Sequence, residues 1–215
     1  MKNLFINRTS WIFDLDGTLT LPVHDFGFIR QELAIPEGED ILDHLELLPP
    51  DLAALRHHRL DEIERSLAGQ AEAAPGAVEL LACLAEQDFQ MGILTRNSRD
   101  VAFVTLEALG VRHHFPDAHI LGRDDAPPKP DPGGILHLQE KWQVETENLV
   151  MVGDYIFDLQ AGRSAGALTV HVGRPDGQRW PEASDIMVDT LADLLGSIST
   201  EDQKGAVIDT PTRCR

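Results

Sequence analysis

The sequence is poor in basic residues. Its 215 residues include 18 Lys and Arg against 36 Asp and Glu, which gives a formal net charge of -18 at pH 7. Nucleic acids and anionic membranes bind basic surfaces, so we expect neither as a partner. A small phosphorylated metabolite is still compatible with this net charge, because a few cationic side chains and a metal ion in a site can outweigh the field of more distant acidic residues.

Cysteine is also scarce, and the two present, Cys83 and Cys214, indicate no disulfide framework. Residues 1–10 lack the long apolar run and the cleavage site of a signal peptide. No stretch of the chain is long and apolar enough to span a bilayer. We therefore expect a cytoplasmic protein, and its oligomeric state stays open.

Short apolar runs that do not alternate with polar residues are typical of parallel strands buried on both faces. The strongest such runs are residues 11–13, 91–94 and 149–152, and further candidate strands are residues 118–121, 167–172 and 185–188. Helical patterns lie between them, at residues 77–87, 98–109 (with Ser98 as the N-cap), 134–142 and 156–165. This alternation predicts an α/β fold with a doubly wound parallel sheet.

One segment, residues 21–74, interrupts the alternation with three helix-like stretches and no convincing strand. The stretches are residues 26–34, capped by Asp25, residues 36–48, and a third after Pro49-Pro50 that has Leu52, Leu55, Leu60, Ile63 and Leu67 on roughly one face. We expect a small all-helical cap, inserted after the first strand, that covers the edge of the sheet. The predicted division is a core of residues 1–20 and 75–195, a cap of residues 21–74 and a flexible tail of residues 196–215.

Each of the three strongest strands is followed directly by a polar group. Asp14 follows the first strand, Thr95 the second, and Gly153-Asp154 ends the third. In open parallel sheets the ligand lies beyond the carboxyl ends of the strands. The three side chains are therefore expected at one rim, although polar residues also end strands in proteins without a site there.

The segment from Asp14 to Thr20 has two carboxylates two residues apart, Asp14 and Asp16, directly after a buried strand. Two like charges so close need a cation or a shared proton. Gly17 permits a tight turn beside them. The alternative is an ordinary turn with Asp16-Gly17 at its centre.

The segment Asp14-Leu15-Asp16-Gly17-Thr18 resembles the first motif of the haloacid dehalogenase-like hydrolase superfamily. Thr95, Lys129 within Pro127-Pro128-Lys129-Pro130, and Gly153-Asp154-Tyr155-Ile156-Phe157-Asp158 resemble its second, third and fourth motifs in the family's order. The resemblance covers residues 11 to about 172 and implies a Rossmann-like core. The helical segment is similar to the small cap of phosphoglycolate phosphatases.

The resemblance also implies roles for these residues. Asp14 would be the nucleophile that forms an aspartyl phosphate, and Asp16 the general acid and base. Thr95 would hydrogen-bond a phosphoryl oxygen, and Lys129 would neutralise the carboxylates and the phosphoryl charge. Mg²⁺ would be held by Asp14, the Asp16 backbone carbonyl and Asp154, with Asp158 acting from behind them or through water.

Several basic or polar residues are candidates for substrate contact. Arg96 and Asn97 follow Thr95 and would contact the substrate or the cap, unless their loop simply faces solvent. Arg30, Arg56 and Arg59, with His24, lie in the predicted cap, where they would meet an anionic substrate or form a solvated helix face.

The expected function is hydrolysis of a small phosphomonoester, with phosphoglycolate among the substrates that the resemblance admits. Three alternatives stay open. A metal-independent 2-haloacid dehalogenase would use the aspartate nucleophile but would not need Asp16. A phosphosugar mutase would return the phosphoryl group to a sugar. A phosphate-sensing module would use the same fold without catalysis, although the full charged set is present.

Overall fold

The computed structural model describes residues 4–5, 7–23 and 25–198, and within them the chain forms one parallel sheet. Its strands are β1 (Ser10–Phe13), β2 (Gln90–Leu94), β3 (Ile120–Leu121), β4 (Leu149–Gly153), β5 (Leu168–Val172) and β6 (Ile186–Val188). They pair in the order β3-β2-β1-β4-β5-β6, with every pairing parallel. The predicted α/β fold with a doubly wound sheet is confirmed.

Eight α-helices accompany the sheet in the described ranges. They are α1 (Phe26–Glu32), α2 (Ile41–Glu46), α3 (Pro50–Ala68), α4 (Ala77–Glu86), α5 (Arg99–Ala108), α6 (Gly133–Trp142), α7 (Ile156–Ser164) and α8 (Leu191–Ile198). None of these helices combines the length and the apolar character that crossing a bilayer requires. Helix α8 was not predicted from the sequence.

Both faces of the sheet are buried, because successive strand residues point to opposite sides. Trp11 and Phe13 of β1 belong to one apolar cluster, together with residues of α4, α5 and α8. Ile12, between them, belongs to the cluster on the other face, with residues of α6 and α7. The non-alternating apolar runs in the sequence follow from this arrangement.

The first three helices form the helical insertion, residues 21–74, between β1 and α4. It has an apolar cluster of its own that includes Ile29, Leu42, Leu45, Leu60 and Ile63. At its base, an isolated antiparallel bridge joins Thr20 to Ala73. The insertion thus leaves and re-enters the core at neighbouring points.

Two details of the insertion differ from the prediction. The second helix begins at Ile41 and not at residue 36, because the Asp40 side chain accepts hydrogen bonds from the backbone N–H groups of Leu42 and Asp43 and so caps the helix there. In α3, Leu55 is 62% exposed, whereas Leu60 and Ile63 are buried. The described neighbours cover mainly the second half of α3, so the predicted apolar face is buried only in part.

Three further predictions need correction. Strand β3 contains only residues 120 and 121, because a short 3-10 helix at Asp117–His119 precedes it. Ser98 occupies the N-cap position of α5, but its side chain makes no capping hydrogen bond. Residues 196–198, predicted as tail, belong to α8, and residues 199–215 lie outside the described part of the chain.

Candidate active site

The three predicted polar residues do meet at one rim of the sheet. In the sheet register Phe13 lies opposite both Ile93 and Val152, so the residues that follow these strands emerge side by side. A cavity of about 450 Å³ opens there, between the rim and the helical insertion. The cavity is lined by every predicted site residue, namely Asp14, Asp16, Thr95, Arg96, Asn97, Lys129, Asp154 and Asp158.

Lys129 lies at the floor of the cavity with its ammonium group fully enclosed. Its Nζ is 2.6 Å from Asp14 Oδ1, 2.7 Å from Asp158 Oδ1 and 2.6 Å from the backbone oxygen of Leu94. Burial alone would lower the pKa of Lys129, but Asp14 and Asp158 outweigh it and hold this pKa above its ordinary value. Lys129 is therefore a permanent positive charge between two carboxylates.

Asp14, Asp154 and Asp158 are buried and form the carboxylate cluster, in which each offers an oxygen within 4.8 Å of the others. Burial, and then the charges of its neighbours Asp14 and Asp158, raise the pKa of Asp154 to about 8. Burial also raises the pKa of Asp158 to about 6 despite the nearby Lys129. Hard carboxylate oxygens that repel one another at this spacing fit a Mg²⁺ ion, which favours such ligands.

Asp158 has both oxygens engaged by the protein. Oδ1 contacts Lys129, and Oδ2 accepts a hydrogen bond from the backbone N–H of Tyr155 at 3.0 Å. This second contact fixes the start of α7. Asp158 is thus a member of the carboxylate cluster and also orients Lys129.

Gly17 keeps the turn after β1 close to the carboxylate cluster. Its φ is +84°, and a Cβ built on it would lie 2.6 Å from Asp154 Oδ2. Any larger residue would therefore be strained and would also push Asp154 away. Next to it, the buried Thr18 hydroxyl donates to Asp14 Oδ2 at 3.0 Å and lies 3.4 Å from Asp154 Oδ1.

Asp16 lies apart from the carboxylate cluster. One of its oxygens, Oδ2, accepts a hydrogen bond from Asn97 Nδ2 at 2.7 Å. Burial and the neighbouring Asp14 raise the pKa of Asp16 to about 7, while Lys129 and the Asn97 bond oppose the rise. A carboxyl group that titrates near neutral pH suits proton transfer in both directions.

Residues 95–97 form the loop after β2, and each has a different partner. Thr95 is buried, and its Oγ1 accepts a hydrogen bond from the backbone N–H of Asn97 at 3.1 Å. Arg96 was predicted to contact substrate or cap; its guanidinium binds both oxygens of Asp40 in the insertion, at 2.6 and 2.8 Å. Asn97 faces Asp16, so its nearest role is to orient that carboxyl group.

The helical insertion supplies the opposite wall of the cavity, which includes Ile29, Arg30, Asp40, Leu60 and Glu64. Arg30 donates to the backbone oxygens of Phe26 and Glu39 and forms no ion pair with any described residue.

The other basic residues considered in the insertion differ from Arg30. Arg56 bonds to the backbone oxygen of Glu32 and is absent from the cavity wall. Arg59 is paired with Glu32 and Glu62 at the surface. His24 lies outside the described residues.

Two arginines at this rim were missed by the sequence reasoning. Arg174 follows β5, lines the cavity and places NH1 2.6 Å from Asp154 Oδ2. Arg123 follows β3 and pairs with Glu64 of the insertion. The rule that led to Asp14, Thr95 and Asp154 applies equally to these strands, so their positions were available in the sequence.

Comparison with known proteins agrees with this geometry. A family model described as "Hydrolase: haloacid dehalogenase-like hydrolase" matches residues 11–166. A haloacid dehalogenase-like hydrolase domain-containing protein of Arabidopsis thaliana is 31% identical over 88% of this chain and 83% of its own length.

Two further relatives extend the comparison. A phosphoglycolate phosphatase of Chromobacterium violaceum is 28% identical, over 85% of this chain and 92% of its own. The crystal structure of a hydrolase from Pseudomonas syringae aligns with a TM-score of 0.72 at 28% identity, covering 88% of this chain and 96% of that one.

The carboxylate cluster predicts that Mg²⁺ stabilises the fold. A ligand that binds only the folded state at a hundred times its Kd adds about 2.7 kcal/mol to the free energy of unfolding. We expect MgCl₂ to raise the Tm of the wild-type protein in thermal unfolding, Ca²⁺ to raise it less, and the Asp154→Asn variant to lose the Mg²⁺ shift.

Asp100→Asn is the matched control, because Asp100 is an exposed aspartate that does not line the cavity. Its Mg²⁺ shift should equal that of the wild-type protein. An equal shift in Asp154→Asn would show that the ion binds elsewhere.

Proposed function

The chain belongs to the haloacid dehalogenase-like hydrolases, and on that premise we propose that it is a Mg²⁺-dependent phosphatase of a small phosphomonoester. The observation that supports this most is the pairing of two carboxyl groups with different surroundings. Asp14 is held by Lys129 and Thr18, and the neighbouring Asp16 is a separate carboxyl group with a pKa of about 7. The relative named phosphoglycolate phosphatase supports the same reaction class.

In the proposed first half-reaction, a carboxylate oxygen of Asp14 attacks phosphorus and forms an aspartyl phosphate. The bond from phosphorus to the substrate oxygen breaks, and protonated Asp16 gives its proton to that oxygen. Lys129 and the Thr18 hydroxyl, which both contact Asp14, orient the nucleophile. Thr95 is proposed to donate to a phosphoryl oxygen from the rim.

In the second half-reaction, the now ionised Asp16 takes a proton from water as the water attacks phosphorus. The bond between Asp14 and phosphorus breaks, which releases phosphate and restores both carboxyl groups to their starting states. The balance is one ester and one water converted to one alcohol and one phosphate. A pKa of about 7 allows Asp16 to act in both steps near neutral pH.

Mg²⁺ is proposed to bind Asp14, Asp154 and the backbone carbonyl of Asp16, where it would offset the repulsion between carboxylates and phosphoryl oxygens. Asp158 is proposed to support the site indirectly, by holding Lys129, which in turn contacts Asp14. Arg174, which contacts Asp154, adds positive charge at the same edge of the cavity.

We propose the helical insertion as a cap that selects the substrate, with residues 1–20 and 75–195 as the catalytic core. This division is supported by the separate apolar cluster of the insertion and by its position across the cavity from Asp14. A cap of this kind limits the access of bulk water and the size of the substrate.

The position of Asp16 favours phosphate ester hydrolysis over dehalogenation. Halide is a weakly basic leaving group that needs no proton, so a carboxyl group with a pKa of about 7 beside the nucleophile would have no task there. A phosphosugar mutase would need the cap to keep water from the aspartyl phosphate, and no contact among the described residues supports that alternative.

The first test is phosphate release from a panel of small phosphomonoesters, with MgCl₂ or with EDTA. We expect turnover only with a divalent metal, and none from the Asp14→Asn variant, because an amide cannot act as the nucleophile. The variant should keep its fold, since it removes one of several repelling charges. Full turnover in EDTA would contradict the proposed metal requirement.

The Asp16→Asn variant separates the two roles of this residue. 4-Nitrophenolate hardly needs a proton to leave, so rapid mixing with nitrophenyl phosphate should release about one equivalent of nitrophenol and then stall, with phosphate held on Asp14. On an alkyl phosphate, the loss should be roughly a hundredfold to ten-thousandfold in the first step. Intact-mass measurement detects the phosphoenzyme. Steady turnover at the wild-type rate, without a burst, would exclude Asp16 as the base.

Arg30 is expected to select the substrate. Loss of a hydrogen bond to a charged group costs about 1.5–3 kcal/mol, so Arg30→Gln should raise the KM of the preferred anionic substrate roughly tenfold to a hundredfold. The rate on a small aryl phosphate should change little. Arg56→Gln is the matched control, because Arg56 is absent from the cavity wall. Equal losses on all substrates in Arg30→Gln would mean that Arg30 only supports the fold of the insertion.

A further inference from the structure

Arg123 connects the helical insertion to the core at a buried point. Its NH1 lies 3.1 and 2.9 Å from the two carboxylate oxygens of Glu64, and its NH2 contacts Asp61. Glu64 and Asp61 both belong to α3. The side chains of Arg123 and Glu64 are only 5% and 7% exposed, so this ion pair is shielded from water.

The same arginine also holds the loop after β2. Its NH1 is 3.1 Å from the backbone oxygen of Arg96, and its backbone N–H donates to the backbone oxygen of Asn97 at 2.9 Å. The loops after β2 and β3 are also in close backbone contact here, since a Cβ built on Gly122 would lie only 2.8 Å from the backbone oxygen of Asn97. Arg123 therefore has partners in two parts of the molecule at once.

The loop after β2 leads directly to the proposed acid and base. Asn97 Nδ2 donates to Asp16 Oδ2 at 2.7 Å, and Arg96 binds Asp40 at the start of α2. The insertion is thus attached to this one loop on two sides, by Asp40 through the Arg96 side chain and by Glu64 through Arg123. A continuous series of contacts runs from α3 through Arg123 and Asn97 to Asp16.

From this series we infer that Arg123 is a positioning residue, which fixes Asn97, and through it Asp16, only while α3 is docked on the core. The inference rests on the proposed function, because it concerns the proton that Asp16 transfers. It assigns to the insertion a part in the chemistry in addition to substrate choice. A guanidinium suits this task, since its planar donors can serve two carboxylates and a carbonyl together, whereas a lysine ammonium is a single point charge.

A misplaced acid has a characteristic kinetic effect. Phenyl phosphate and 4-nitrophenyl phosphate are similar in size, but phenolate is the more basic leaving group and depends more on protonation. If Arg123 positions Asp16, its loss should lower kcat/KM about tenfold to a hundredfold on phenyl phosphate, as small misplacements of reacting groups do, and clearly less on 4-nitrophenyl phosphate. A purely structural role would lower both rates equally.

The experiment measures kcat and KM on both esters for Arg123→Met, Arg123→Lys and the double variant Arg123→Met/Glu64→Met. The double variant guards against unfolding, because it replaces a buried ion pair with apolar groups of similar size and leaves no unpaired buried charge at Glu64. Its Tm should recover towards that of the wild-type protein while the leaving-group effect persists.

Arg123→Lys should restore part of the activity that Arg123→Met loses. Asn97→Ala should show the same leaving-group effect, and Arg163→Met, which breaks an exposed ion pair in the core, should show none.

Hydrogen–deuterium exchange gives a readout that does not depend on activity. In the Arg123→Met/Glu64→Met variant, exchange should quicken in α3 and also in the loop of residues 95–97. Faster exchange in α3 alone, or equal losses on the two esters, would overturn the inference. Failure of the proposed function looks different, since the wild-type protein itself would then hydrolyse neither ester, or Asp14→Asn would retain activity.

Discussion

The Lys129 ammonium is the charge on which the rest of the site depends. Asp14 contacts it from the position after β1, Asp158 from the first turn of α7, and the backbone oxygen of Leu94 from the end of β2. Without this cation, the buried Asp14 and Asp158 would lose the partner that offsets the repulsion between their like charges. Because Lys129 is enclosed and held on three sides, it also fixes where Asp14 points. The proposed nucleophile is therefore oriented by the same contacts that offset the cost of its burial.

Much of the fold and three residues of the site followed from one rule applied to the sequence. Buried apolar runs marked the strands, and parallel strands bring their carboxyl ends to one rim, so Asp14, Thr95 and Asp154 could be placed together without a structure. Lys129 could not be placed in this way, because its segment belongs to no strand. Its assignment came from the family resemblance alone, and its three contacts are visible only in the structure.

The contacts between the insertion and the core lay beyond sequence reasoning for a different reason. Arg96 and Asp40 are 56 residues apart in the chain, and Arg123 and Glu64 are 59 apart, so no local pattern pairs them. Asp40 was also hidden by the misplaced start of α2, since a residue assumed to lie inside a helix is not examined as its cap. Glu64 could not be recognised as a buried residue from the helical pattern, because a glutamate on a helix is usually solvated. Here Glu64 is buried, and this burial raises its pKa to about 7 even beside Arg123.

The strongly acidic chain and its proposed anionic substrate are compatible because of the distances involved. At physiological ionic strength, exposed charges more than about 8 Å away are largely screened, so the net charge of the surface matters less than the groups in the cavity wall. Of the basic residues in that wall, Lys129, Arg96 and Arg174 already face carboxylates, whereas Arg30 bonds only to backbone oxygens among the described residues. The proposed anionic substrate would therefore meet, on the insertion, an arginine that pairs with no acidic side chain of the described residues. Directly opposite, the phosphoryl group would meet the rim of the sheet, so the two walls of the cavity would recognise different parts of one molecule.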